Sequence, residues 1–181
     1  MAGTPEEPIS KLEWAQVPGT HAYQLLVGNQ HFATLTWNRG SGSIAAADSS
    51  EGRWTLKRRG FLWPGITIRN SATHQELAVL RAQWRESTVQ LADGSTFRWT
   101  RTGFRDPTWK ATDPLGNDLL TFEPVRKGKH LSGCTITCTP AASSSPALLL
   151  LVILGWYFIV IAWIEEHHDV TGAIGATLGD T

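Results

Sequence analysis

From Tyr23 to Thr139, apolar and polar positions alternate in short runs rather than recurring every three or four residues. Runs rich in Thr, Val, Ile and Trp, each closed by Gly, Asn, Asp or Pro, are the signature of a strand meander. The pattern predicts strands at 22–28, 31–38, 43–47, 53–59, 65–70, 75–83, 86–91, 95–101, 108–113, 117–123 and 131–138. Ile66 and Ile68 oppose Thr67 and Arg69, and Phe97 and Trp99 oppose Arg98 and Thr100, so these strands have one wet face. Asp93-Gly94 and Gly116-Asn117 supply residues that tolerate positive φ, and Trp63-Pro64-Gly65 sets a tight corner, which makes the connections antiparallel hairpins. No stretch before Pro140 keeps a helical period for ten residues, although Gln75 to Arg85 is the least strand-like. Residues 1–20, with Gly3, Pro5, Pro8 and Pro18, read as a loose lead-in.

The pattern changes after Ala141-Ala-Ser-Ser-Ser-Pro146, a small-residue hinge. Ala147 to Ile164 carries no charged side chain, and these eighteen residues would span about 27 Å as a helix. A helix is predicted over 146–166. Pro146 suits its first position, where the missing N–H has no intrahelical acceptor, and Ser145 can cap it. Glu165 begins a polar exit, and 170–181 reads as a flexible tail.

A helix apolar on every face is buried in lipid or in protein. Its length meets the threshold for a membrane span, and Arg126, Lys127 and Lys129 before it, with acids after it, would place the N-terminal side inside. The alternative is a core helix. A closed sheet of about eight strands is filled by its own side chains, whereas eleven or twelve leave a lumen that needs a plug. Ser43-Ile-Ala-Ala-Ala47 is poor in bulk, as a strand passing a large central object should be. Trp156 and Tyr157 sit mid-segment, where a membrane helix keeps Leu or Val. The expected architecture is therefore mainly β: a closed antiparallel barrel of about 11–12 strands around a buried hydrophobic C-terminal helix, spanning 21–169. A tail-anchored single-pass protein with a cytosolic β-domain is the alternative.

Composition narrows the function classes. At 181 residues, one domain with an appendage is expected. Sixteen Lys and Arg balance sixteen Asp and Glu at only 18% charged residues, which excludes a polyelectrolyte tail or histone-like nucleic-acid binder. Nine Trp and 41% hydrophobic residues exclude global disorder. Two cysteines cannot build a disulfide scaffold, and Met1 to Trp14 holds no apolar run like a signal peptide, so a cytoplasmic location is the expectation. The neutral total conceals an asymmetry. Eleven of the sixteen basic residues, against four acids, lie between Arg53 and Lys110.

The stretches Trp54-Thr-Leu-Lys-Arg-Arg-Gly-Phe61, Gly65-Ile-Thr-Ile-Arg69, Glu76-Leu-Ala-Val-Leu-Arg81, Gly116-Asn-Asp-Leu-Leu-Thr-Phe122 and Leu154-Gly-Trp-Tyr157 complete the picture. In strand order and helix placement the chain resembles the superfamily of tubby C-terminal domains, LURP-one-related proteins and phospholipid scramblases, over roughly residues 20–168. The resemblance implies lipid or phosphoinositide binding in the tubby branch and lipid movement in the scramblase branch. An acidic calcium-loop pattern, which a calcium-driven scramblase would need, is missing from the sequence.

Lys57-Arg58-Arg59, three cations at a strand end beside Gly60, are candidate ligands for a phosphorylated lipid headgroup through charge-assisted hydrogen bonds. Arg98, Arg101 and Arg105 would join them if their hairpin lies alongside. The competing account is solvated charge blunting a sheet edge. Arg126-Lys-Gly-Lys129 is a second basic turn. A protein partner for the basic face is the other expectation. Glu165-Glu-His-His-Asp169 combines zinc-ligating residue types, yet it lacks a second His or Cys cluster and reads as a helix meeting water. Cys134 and Cys138, four apart on one strand, lie about 13 Å apart and cannot form a disulfide. The six histidines accompany no Gly-x-Ser-x-Gly, His-Glu-x-x-His or phosphate-binding Gly-x-x-x-x-Gly-Lys motif. No enzyme, cofactor or metal is therefore expected.

Overall fold

The computed structural model describes residues 11–38, 43–60, 65–83, 86–103 and 106–175, with side chains to His167. Its strands are β1 (Lys11–Gln16), β2 (Ala22–Val27), β3 (Gln30–Trp37), β4 (Ala45–Ser49), β5 (Gly52–Arg59), β6 (Gly65–Asn70), β7 (Glu76–Arg81), β8 (Glu86–Leu91), β9 (Thr96–Thr102), β10 (Thr108–Thr112), β11 (Asp118–Lys127) and β12 (His130–Cys138). Two helices follow, α1 (Pro140–Ser143) and α2 (Leu148–Gly175). Each strand pairs antiparallel with its sequence neighbours, and β1 pairs with β12, which closes a barrel. Closure leaves no edge to protect.

The expected β-architecture is observed, with one correction. The lead-in of 1–20 contains β1, whose Leu12 and Trp14 point into the lumen while Lys11 and Glu13 point out. Pro8 and Pro18 bracket this short alternation and mask it. Without β1, β2 and β12 would each expose an unpaired edge. β1 and β12 approach closely at Gly133, where a Cβ would lie 2.1 Å from the Trp14 carbonyl oxygen, so the ring seals on a residue without a side chain. The turns behave as their residues dictate: Gly94 and Gly116 adopt positive φ, and the Asp93 carboxylate accepts from Ser95 N–H at 2.8 Å. Trp63 and Pro64 of the expected corner lie outside the described residues.

The hinge also differs from its expectation. Pro140 to Ser143 form a helical turn, with Thr139 Oγ1 accepting from Ala142 N–H at 3.3 Å. The second helix begins at Leu148, not at Pro146, so Pro146 lies in the turn that leads in and Ser145 braces that turn, its Oγ accepting from Ala147 N–H at 3.2 Å and its carbonyl from Leu148 N–H at 3.1 Å. That helix is longer than 146–166 and runs into the 170–181 tail as far as Gly175.

The lumen holds α2. Leu151 to Ile161 are all buried, and their neighbours come from around the ring. Trp156 stacks on Trp14 of β1 at 6.5 Å and meets Tyr23 of β2 edge-on at 5.2 Å. Tyr157 lies parallel to Trp37 of β3 at 5.7 Å, and Phe158 meets Trp109 of β10 edge-on at 5.1 Å. Gly155 faces β9 and β11: a Cβ there would fall 2.3 Å from the Trp99 ring and 2.9 Å from Phe122. Inward positions opposite such bulk are small, with Ala33, Ala45, Ala47, Ala78 and Ala111 fully buried. Large and small residues thus interdigitate as close packing requires. Each aromatic pair adds about 0.5–1.5 kcal/mol beyond area burial. The two tyrosine hydroxyls find carbonyls, Tyr23 Oη donating to Leu131 O at 3.0 Å and Tyr157 Oη donating to Ser43 O, whereas the indole N–H groups of Trp14, Trp37, Trp99 and Trp156 are buried without a hydrogen-bond partner.

The helix gives the barrel two mouths. At the front mouth, α2 begins and β12 ends. At the back mouth, β5, β9 and β11 end and α2 leaves. The Lys57-Arg58-Arg59 cluster and the polar exit of α2 lie at the back mouth and on the adjoining outer wall.

Candidate functional site

The period-two geometry of a strand decides the fate of Lys57-Arg58-Arg59. Trp54 and Leu56 point into the lumen, so Arg58 continues the inward set at the rim, while Lys57 and Arg59 project outward. Three cations adjacent in sequence therefore face two directions. Arg58 forms an ion pair with Glu165 of α2.

Arg101 repeats this on β9. It shares the inward parity of Trp99, and its guanidinium engages both carboxylate oxygens of Glu166, one of them at 3.2 Å, while lying 5.4 Å from the Trp109 ring centroid. A third arginine, Arg126 of β11, lies 4.8 Å over the Trp163 ring and 3.4 Å from Asp106. His167 stacks on Trp163 at 3.9 Å, and its Nδ1 lies 2.8 Å from the Trp163 carbonyl oxygen. Arg58, Arg101 and Arg126 thus form a collar around the departing helix.

Two of the sequence-predicted headgroup ligands, Arg58 and Arg101, are therefore structural clamps. Arg98 does not join Lys57 either. It lies near the front end of β9 and donates to Pro114 O at 3.3 Å. Four strand spacings, about 19 Å along the sheet, separate β9 from β5. Arg105 lies outside the described residues.

What remains is an outward set on β5, β6 and β7. Register places Arg59, Gly65 and Arg81 side by side, and Lys57, Thr67 and Val79 in the next row. Gly65 carries no side chain between its two arginine neighbours, which leaves a shallow cleft of about 540 Å³ lined by Arg59, Gly65, Thr67, Val79 and Arg81. Thr67 is buried at its floor and donates to Lys57 O at 3.4 Å. Glu76 borders the cleft but is engaged by Arg69 at 3.2 Å. Among the described residues, Lys57, Arg59 and Arg81 have no acidic partner within ion-pair distance. Arg81 is absent from the ligands proposed above because it is isolated in sequence. Strand pairing through Gly65 was the signal that could have found it.

The remaining motifs resolve simply. Glu165 and Glu166 are taken by arginines, and the side chains of His168 and Asp169 lie outside the described residues. Cys134 and Cys138 are free thiols on the lumen side of β12. Burial pushes the Cys134 thiol far above its ordinary range and that of Cys138 up to about 11, so neither is a ready thiolate at neutral pH.

Comparison with protein-family models, curated proteins and solved structures returns no match. The functional conclusion therefore rests on the geometry of this chain.

Proposed function

We propose that this chain is a cytoplasmic, non-enzymatic tubby-like binding protein whose outer wall over β5–β7 holds an anionic lipid headgroup. One observation carries the proposal: Arg59 of β5 and Arg81 of β7 line a cleft across Gly65 and Thr67 of β6, Lys57 stands one row along β5, and none of the three has an acidic partner among the described residues. Two guanidiniums across a gap suit the several oxygens of a phosphorylated headgroup, and each cation near an anionic membrane contributes about 1 kcal/mol. Flotation with phosphoinositide-containing vesicles against neutral phosphatidylcholine vesicles tests it. Preferential binding to the anionic vesicles is expected, weakened about five-fold by each of K57A, R59A and R81A. Arg53, already paired with Asp48 at 2.6 Å, is the control whose removal changes little. Equal binding to both vesicle types, or a triple variant that binds like wild type, overturns the proposal.

A second reading rests on α2. Leu148–His167 spans twenty residues at a mean hydropathy of 2.4, as a membrane anchor would. Retention of the full chain in membranes after carbonate extraction would favour that reading.

A further inference from the structure

The front mouth carries a second cavity, distinct from the basic cleft and opposite to it in chemistry. Where the first turn of α2 crosses β1–β3, the described residues leave a space of about 210 Å³ between them. Buried Leu12, Leu25 and Val152 line it together with half-buried Phe32, Leu148 and Leu149. Its rim is polar, formed by Ser143, Ser145 and Glu51. For scale, an apolar cavity of about 150 Å³ admits benzene, whereas pockets for drug-sized molecules start at roughly 300 Å³. The space therefore suits a single short alkyl chain.

The rim selects the head of such a chain. Ser145 Oγ accepts from Ala147 N–H, and Ser143 Oγ donates to Thr139 O at 3.2 Å, so both hydroxyls are engaged with the backbone. Glu51 is exposed, and no described lining residue is a cation. A rim whose one described charge is the Glu51 carboxylate favours a head that carries positive charge.

We propose that the front-mouth cavity is a binding site for a single-chain cationic amphiphile, its alkyl tail between α2 and β1–β3 and its ammonium head at Glu51. Octylamine is the probe, with octanol and octanoate as the neutral and anionic comparisons. Titration into the full chain, followed by amide chemical shifts, should move Ser145 to Val152 first. Octylamine should bind about five-fold more tightly than octanoate, the size expected of an exposed charge. E51Q should bring the three ligands within about two-fold of one another. L149W, at a half-buried position, should fill the space and weaken all three together. Shifts that map elsewhere, equal affinities for amine and carboxylate in the wild type, or undiminished binding to a folded L149W overturn the proposal. Because the wild-type shift map and ligand ranking are read first, a variant that fails to fold leaves the outcome decidable. Vesicle binding through Lys57, Arg59 and Arg81 involves none of these residues and can fail or succeed on its own.

Discussion

Tyr157 shows how one side chain serves both packing and polarity in this lumen. Its ring lies flat on Trp37, and its hydroxyl donates to Ser43 O, so the phenol is desolvated only as far as its oxygen. Burial, opposed by the Ser43 bond and by Arg58, pushes its titration from 10.0 up to about 12. Between those two values the unfolded chain has released a proton that the folded chain keeps. Stability therefore falls as pH rises through this window and is unaffected by this group below it. Removing the hydroxyl in Y157F should cost about 1 kcal/mol at pH 8, the usual net worth of a hydrogen bond. The deficit should shrink above pH 10, because the variant has no phenol to ionise. Denaturant melts of both proteins at pH 8, 10 and 11.5 check this, and a deficit constant across the series would mean the phenol does not carry the linkage.

At the scale of elements, α2 poses a problem of register, because a helix apolar on all sides has little to stop it rotating or sliding. Trp156, Tyr157 and Gly155 limit it by shape, and the collar limits it by charge. Successive residues project about 100° apart, and β5 and β9 stand four strands apart in a ring of twelve, a third of its circumference. Glu165 and Glu166 therefore meet Arg58 and Arg101 only in one azimuth. Both pairs are partly exposed, so each contributes about 0.5 kcal/mol. E166R should cost about 1 kcal/mol by setting like charges together, and R101E/E166R should recover most of that in a double-mutant cycle read by thermal melts. No recovery in the exchanged pair would assign the azimuth to the rings alone. This collar marks the limit of what was legible in the chain. The alternation at Ile66–Arg69 and Phe97–Thr100, the turn residues, and a helix too apolar for any place but a lumen or a bilayer were all readable locally. β1 was not, because six alternating residues between prolines carry a weak signal whose partner, β12, lies over a hundred residues away. The site was half legible: Lys57 and Arg59 stand where a basic strand end suggests, but that Arg58 turns inward follows from parity, and that Arg81 joins follows from a register through Gly65.

For the whole molecule, the decisive relation is between shell and plug. Twelve strands enclose more space than their own inward side chains fill, and those side chains are partly alanines. The lumen faces of β1, β2, β3 and β10 find aromatic partners on α2, and Trp99 of β9 and Phe122 of β11 pack on each other against Gly155. Truncating one buried aromatic residue costs about 3–5 kcal/mol. Deleting residues 146–181 removes Trp156, Tyr157 and Phe158 at once, which together exceed most of the roughly 5–15 kcal/mol by which a domain is stable. The truncated chain should therefore lose near-UV circular dichroism and amide dispersion, while the full chain melts in one transition followed equally by tryptophan fluorescence and far-UV signal. A well-dispersed spectrum from the truncated chain would mean that the shell stands without its plug. Shell and helix would then be separable units, the helix would be free to serve as an anchor, and the packing of Gly155 against Trp99 and Phe122 would be a consequence of folding rather than a condition for it.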